Sequence, residues 1–387
     1  MLLSGNWGVY AQTFSGGEGT EASPYLISSK EDMEELASYS HYSFLNEAHF
    51  LLTRDLTGSE DTLTFDSNSF YFSGIFDGGG HEIAVNGTGV FSSIENATIK
   101  NLGVSGRITY DNFSMALTWQ STLCYGYTGS ICGRASNSKI INCYNIATIS
   151  YASYTGNCIV FSIGGICGDA SDCNIINCYN SGDIEGNSGT CFPGGICGSH
   201  DNDMVSHCFA ANTIINGGDT NYDIGRISRD DYNNIENCYA NSAMLLNNAI
   251  VSSEDATSKD GKDALFSSFT NQSWIEENLG WDFDNVWKMS DINDPVYKGL
   301  PVLRKESNST TFVVSSGKSV TIYPNPASTS LRIQGIAGKT PLTITDISGK
   351  IVLKRTVHSN EIISVEHLPE GIYNIRVADE TVKMVKK

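Results

Sequence analysis

The sequence predicts an all-β chain: a parallel, right-handed β-helix solenoid with a short N-terminal capping helix, followed by a small immunoglobulin-like β-sandwich. Three observations predict it. A five-residue phrase recurs, Gly-Ser-Ile-Cys-Gly at 129–133 and Gly-Gly-Ile-Cys-Gly at 164–168 and 194–198. A second phrase follows each copy, with Cys132 to Cys143, Cys167 to Cys178 and Cys197 to Cys208 all 11 residues apart. Beyond residue 312 the repeats are gone and the net charge changes sign.

The spacing matters because of the columns that stay apolar when copies are aligned. Weaker copies pair Phe91 with Leu102 and Ile227 with Cys238 at the same step. The origin column reads Phe91, Cys132, Cys167, Cys197, Ile227, and eight residues on it reads Ile99, Ile140, Ile175, Val205, Ile235. Eleven on stand Leu102, Cys143, Cys178, Cys208, Cys238, and seventeen on stand Ile108, Ile149, Ile184, Ile214, Met244. Steps of eight and six suit the two-residue period of a strand, while the step of three requires a corner. Asn142, Asn177 and Asn237 sit at that corner, where a residue tolerant of a left-handed backbone is wanted. The Gly and β-branched content excludes a helical reading. Copies near 89–108, 129–149, 164–184, 194–214 and 224–244 start 41, 35, 30 and 30 residues apart, the range of solenoids. One such unit cannot bury its apolar edge, but units stacked at about 4.8 Å can, and parallel crossovers are right-handed. A β-propeller, the competing architecture, needs about four strands per blade, for which 30 residues are short.

In chain order, 387 residues suit two or three domains. Residues 1–11 end in Val9-Tyr10-Ala11 and read as the remnant of a signal peptide. The solenoid domain covers 12–304. Ser28 or Ser29 caps its helix, Glu31 or Asp32 takes the capping-box position, and Met33, Leu36 and Ala37 form the apolar face that closes the stack. Phe50 to Leu52 and Phe70 to Phe76 are strands, the latter turning through Gly78-Gly79-Gly80 toward Ile83. Residues 305–317 are a polar linker, and 318–387 alternate short strands with turn signals.

The net charge is −19, but residues 313–387 hold 10 Lys and Arg against 6 Asp and Glu, leaving the body with 14 against 37. So acidic a body argues against nucleic acid and anionic membrane surfaces as partners. No run approaches the roughly 18 apolar residues of a membrane span. Of the eleven cysteines, seven fall in the inward columns as small apolar residues. Cys124, Cys158, Cys173 and Cys191 lie off them and are free to pair as disulfides outside the cell. The residue after each corner Cys points outward, so Tyr144, Tyr179, Phe209 and Tyr239 form a stacked aromatic ribbon, the candidate binding surface for a glycan or protein ligand. Asp201, Asp203, Asp230 and Asp231 are the carboxylates that a polysaccharide lyase or glycoside hydrolase would use, although their Asn- and Gly-rich contexts expect Asp anyway. No catalytic motif, metal set or cofactor site is read from the sequence.

Two stretches carry a family resemblance. GGEGTEASPYLI (16–27), FSGIFDGGGHEI (72–83), IKNLGV (99–104) and the GGICG copies resemble secreted bacterial proteins with GLUG-type repeats, found in surface adhesins and beside the peptidase domain of IgA-cleaving metallopeptidases. Trp281-Asp282-Phe283, Trp287 and Gly299 to Leu303 resemble that family's closing segment. Where such peptidases carry HExxH, this chain has His81-Glu82-Ile83-Ala84-Val85, without the second zinc ligand. Thr321-Ile-Tyr-Pro-Asn-Pro-Ala327, Leu368-Pro-Glu-Gly-Ile-Tyr373 and the terminal Lys386-Lys387 resemble the sorting domain of type IX secretion cargo from Bacteroidota. The resemblance implies export by the type IX machinery to the cell surface. The expectation is therefore a noncatalytic, adhesin-like surface protein, with a carbohydrate-active enzyme on the same scaffold as the alternative.

Overall fold

The computed structural model describes residues 14–40, 46–64, 70–110, 124–151, 159–186, 190–217, 224–229, 234–305, 321–323, 327–334, 340–346, 350–358, 361–369, 371–377 and 380–387. The chain divides into two units, Met1–Glu306 and Ser307–Lys387. The signal-peptide remnant, Cys158, Asp230, Asp231 and linker residues 306–317 lie outside the described residues.

The first unit is mostly β, and its large sheets are parallel. An eight-stranded sheet runs in chain order through Tyr25–Ile27, His49–Leu52, Ile75–Asp77, Thr98–Lys100, Lys139–Ile141, Asn174–Ile176, Met204–Ser206 and Ile235–Glu236. Ile99, Ile140, Ile175, Val205 and Ile235 stand opposite one another in it, as the second column requires. A five-stranded sheet aligns Phe91, Cys132, Cys167 and Cys197. Beyond the corner, a twelve-stranded sheet aligns Ile108, Ile149 and Ile184, and separately Tyr144, Tyr179, Phe209 and Tyr239. A three-stranded sheet of Cys124–Thr128, Ile159–Gly164 and Thr190–Gly194 leads into the repeated phrase. There the glycines answer to crowding: a Cβ on Gly164 or Gly194 would stand 1.8 or 2.0 Å from the carbonyl of Cys167 or Cys197. The eight-stranded sheet adds three strands ahead of residue 89 that no repeat phrase marks.

The corners carry the left-handed backbone expected of them. Asn101, Asn142, Asn177, His207 and Asn237 have φ between 53 and 55°. Asn177 donates to Asn142 and Asn142 to Asn101, both at 3.2 Å, so the strained positions are tied along the stack. The corner cysteines do more than fill space. Each thiol donates to the carbonyl two residues back, at 3.3 Å from Cys143 and 3.2 Å from Cys178, and the Cys178 and Cys208 sulfurs accept the N–H of Cys143 and Cys178 at 3.4 Å. Burial is the first cause holding the Cys178 thiol well above its ordinary range, so it stays a neutral donor. Of the expected disulfide candidates, Cys173 is instead a free thiol, and both it and Cys191 are buried in the same core. The backbone of Cys124 belongs to a strand.

The last two copies depart from the predicted columns. Cys197 bridges to Ser228, not Ile227, because Ile227 takes the place that Ile196 holds one copy earlier and its carbonyl receives the Ile196 N–H. In the fourth column Ile184 faces Ile215, and Ile215 faces Leu246. One extra residue between Phe209 and Ile215 moves the register, and the adjacent pair Ile214-Ile215 conceals it in the sequence. The apolar set is preserved: Ile215 is fully buried and Met244 still contributes to the core.

The helix Lys30–Ser38 begins where expected, with the Ser29 hydroxyl accepting from the Asp32 N–H at 3.2 Å. Asp32 is itself buried and takes the Ser28 N–H and the Ser15 hydroxyl, while Met33 and Leu36 enter the main core. In the second unit, an antiparallel sheet of Thr321–Tyr323, Ser330–Gln334 and Ile362–Ser364 and another of Ile351–Val357, Thr340–Asp346, Gly371–Val377 and Glu380–Lys386 share one core, including Leu331, Ile363, Ile344 and Ile375.

Candidate binding cleft beside a covered aromatic column

Tyr144, Tyr179, Phe209 and Tyr239 point away from the cysteine core, as the alternation requires. The first three stack, with ring centroids 5.3 Å apart for Tyr144–Tyr179 and 4.8 Å for Tyr179–Phe209, while Tyr239 instead meets Trp274 edge-on at 5.0 Å. The expected exposed ribbon is nevertheless corrected. Their exposures are 3, 0, 0 and 8%, so the column offers no free surface to a ligand. A strap of chain covers it. The helix Phe266–Phe269 sets Phe269 flat on Phe209 at 4.5 Å. The helix Gln272–Leu279 follows, capped by Asn271 and ended by left-handed Gly280. Trp281 and Trp287 then stack on each other at 4.4 Å, over Phe209 and Tyr179 respectively. Two polar ends are satisfied, the Trp281 indole donating to the His207 carbonyl at 2.9 Å and the Tyr179 hydroxyl to that of Pro301 at 2.7 Å, whereas the buried Trp287 indole N–H has no partner among the described residues.

Beyond Tyr144 the same column continues through Gly103 to Glu82, which pairs with Gly103 across the strands. A Cβ on Gly103 would lie 2.3 Å from the Tyr144 ring, so its absence lets that ring fold over the strand. The Tyr144 hydroxyl donates to Glu82 Oε2 at 2.9 Å, and Tyr297 of the strap donates to the same oxygen at 2.8 Å. Burial, then the adjacent Glu82 charge, pushes both phenols well above their ordinary range and keeps them donors. Beside them, Asp55 Oδ1 meets His81 Nδ1 at 3.0 Å and the Glu82 N–H at 3.2 Å, and its other oxygen meets Lys305 Nζ at 2.5 Å. Burial would raise the Asp55 carboxyl, but the His81 and Lys305 hydrogen bonds with the Lys305 charge outweigh it and hold it well below the usual carboxylate range. Gly80, at φ +79°, admits the strap: a Cβ there would stand 2.1 Å from the Arg304 carbonyl.

Asp55, Gly80, Glu82, Tyr144, Tyr297 and Lys305 line a cleft of about 400 Å³, with Lys288, Ser290, Asp291 and Asp294 on its strap side. Of the four predicted binding residues, Tyr144 alone lines it. Periodicity could not have found Glu82 or Tyr297: one lies before the repeats, the other after them. The stretch 81–85 lies mostly on the strand Glu82–Gly87, with Val85 buried in the core, so the geometry there is not that of a helical zinc motif.

Of the four candidate aspartates, Asp201 and Asp203 are among the described residues, and they stand in different settings. Asp203 is buried and accepts the N–H groups of Cys173 and Asp201, the latter at 3.0 Å, while Asp201 is exposed. Burial pushes the Asp203 carboxyl up to about 6. Among the described residues, no helix is long and apolar enough to cross a membrane.

Two comparisons bear on the chain. Residues 321–387 match the secretion system C-terminal sorting domain family. The fold is similar to a crystal structure of a candidate immunoglobulin A1 protease from Bacteroides ovatus, with 21% identity and a TM-score of 0.51 over 76% of this chain and 95% of that one. No curated protein matches the chain. The sorting domain, a tail of type IX secretion, identifies an exported protein, secreted or displayed at the cell surface.

Proposed function

We propose that the chain is a noncatalytic, adhesin-like protein displayed at the cell surface, which holds an extracellular glycan or glycoprotein in the Glu82 cleft. Its body is a right-handed parallel β-helix of GLUG-type repeats, the Lys30–Ser38 helix closes one end, and an immunoglobulin-like sandwich serves as the sorting domain. In-register parallel pairing from Tyr25 to Ile235 supports the solenoid, and the handedness follows the rule for parallel crossovers. The observation that carries the functional reading is the cleft itself. An export tail is joined to a body that keeps a buried carboxyl at the floor of a solvent cavity, where concave sites bind small groups.

The test is the full-length protein on an array of glycans and matrix glycoproteins, with immunoglobulin A1 included because of the structural neighbour, and supernatants analysed for released sugars and peptides. Retention without products is expected. Released sugars would replace this reading with a carbohydrate-active enzyme, and cleaved immunoglobulin would replace it with a peptidase.

A further inference from the structure

We infer that the Glu82 cleft is built for a cationic nitrogen, a primary ammonium or a guanidinium, carried by the ligand; this rests on the cleft being the binding site. Glu82 is 8% exposed, yet only its Oε2 is engaged, by Tyr144 and Tyr297. Its Oε1 has no partner among the described residues, and the side chain lines the cleft. The small exposed part of this carboxyl opens on the cleft, so Oε1 is the oxygen that a ligand's donor can reach, with Oε2 already held by the two tyrosines. Across the cleft, on the strap side, Ser290 Oγ is buried without a hydrogen-bond partner among the described residues.

The charges of the lining choose the donor. Lys305 is held by Asp55 at 2.5 Å. That leaves Glu82, Asp291 and Asp294 facing Lys288, an excess of negative charge in the cleft. Asp291 and Asp294 each spend Oδ1 on loop N–H groups, at 2.8 Å from Asn293 and from Val296. Neutral hydroxyls would satisfy Glu82 but not this excess, whereas an ammonium or guanidinium satisfies both. The acidic body raises the local concentration of such a ligand before contact.

The experiment titrates the full-length protein with Nα-acetyl-lysine amide, Nα-acetyl-arginine amide, glucosamine, N-acetylglucosamine and glucose, at low and high salt, reading heat or chemical-shift change. The cationic probes are expected to bind and to weaken with salt, while the two neutral sugars do not. Glu82→Gln, whose amide oxygen still accepts from the tyrosines, weakens them at least tenfold. If that variant has a lowered melting temperature, Asp291→Asn and Asp294→Asn on the exposed loop serve in its place, each expected to weaken binding about threefold. The two amino-acid probes against glucosamine separate a basic protein side chain from an amino sugar as the source. Neutral sugars binding as well as glucosamine would overturn the cationic assignment and leave the glycan reading standing. Array binding unchanged by Glu82→Gln, with no probe bound, would overturn the site alone. Cationic probes bound beside a blank array would uphold the site and sink the glycan reading.

Discussion

Cys178 and Tyr179 are neighbours in the chain and face opposite sides of one wall. Cys178 belongs to a column that the repeats bury by themselves, thiol on thiol, as each copy lies on the next. Tyr179 belongs to a column just as regular and just as buried, but its cover is the strap of residues 265–305, which repeats nothing. Periodicity therefore reveals which residues are equivalent, and it leaves open what lies over them. Burial of the inner column is a property of stacking, and burial of the outer column is a property of one non-repetitive segment.

That contrast can be tested from the outside in. Trp287→Ala removes the largest fully buried side chain of the strap and is expected to cost about 3–5 kcal/mol in denaturant unfolding. A loss below about 1 kcal/mol would mean that the strap merely rests on the column. Asp203, beside the inner core, gives a pH signature. Its carboxyl sits near 6, above the ordinary value for aspartate, so the native state holds a proton that the unfolded chain releases between about pH 4 and 6. Stability should therefore fall across that window as pH rises, by on the order of 2 kcal/mol, and Asp203→Asn should flatten the slope. Asp55 in the cleft works in the opposite sense: its lowered carboxyl contributes stability above about pH 4 that is lost on further acidification.

Within the inner column, Cys178→Ala is expected to cost about 1–2 kcal/mol, and Cys178→Ser less, because the hydroxyl keeps a donor for the Ile176 carbonyl. The reverse order would reduce the thiol to apolar filling. Lys305→Ala breaks an ion pair that is half-open to water, and its cost by thermal melting should stay under about 1 kcal/mol.

Much of the scaffold was legible because stacking writes the same requirement at the same position. Ile99 to Ile235, the left-handed Asn corners and the Ser29 cap all follow from local chemistry repeated in register. The slips at Ser228 and Ile215 were not legible, since an error of one residue vanishes when two apolar neighbours, such as Ile214 and Ile215, satisfy either alignment. The site was least legible of all. Glu82 looked like half of a zinc motif, and its actual partners, Tyr144 and Tyr297, lie 62 and 215 residues away.

The strap also acts as a ruler. It lays Phe269 on Phe209, Trp287 near Tyr179, Tyr297 on Glu82 and Lys305 on Asp55, reading the copies in reverse order. Tandem repeats ordinarily gain and lose units by duplication, but each added unit here would push the two fastening points apart by about 4.8 Å. An inserted copy therefore demands one or two further residues in the strap, and copy number and strap length are bound to evolve together.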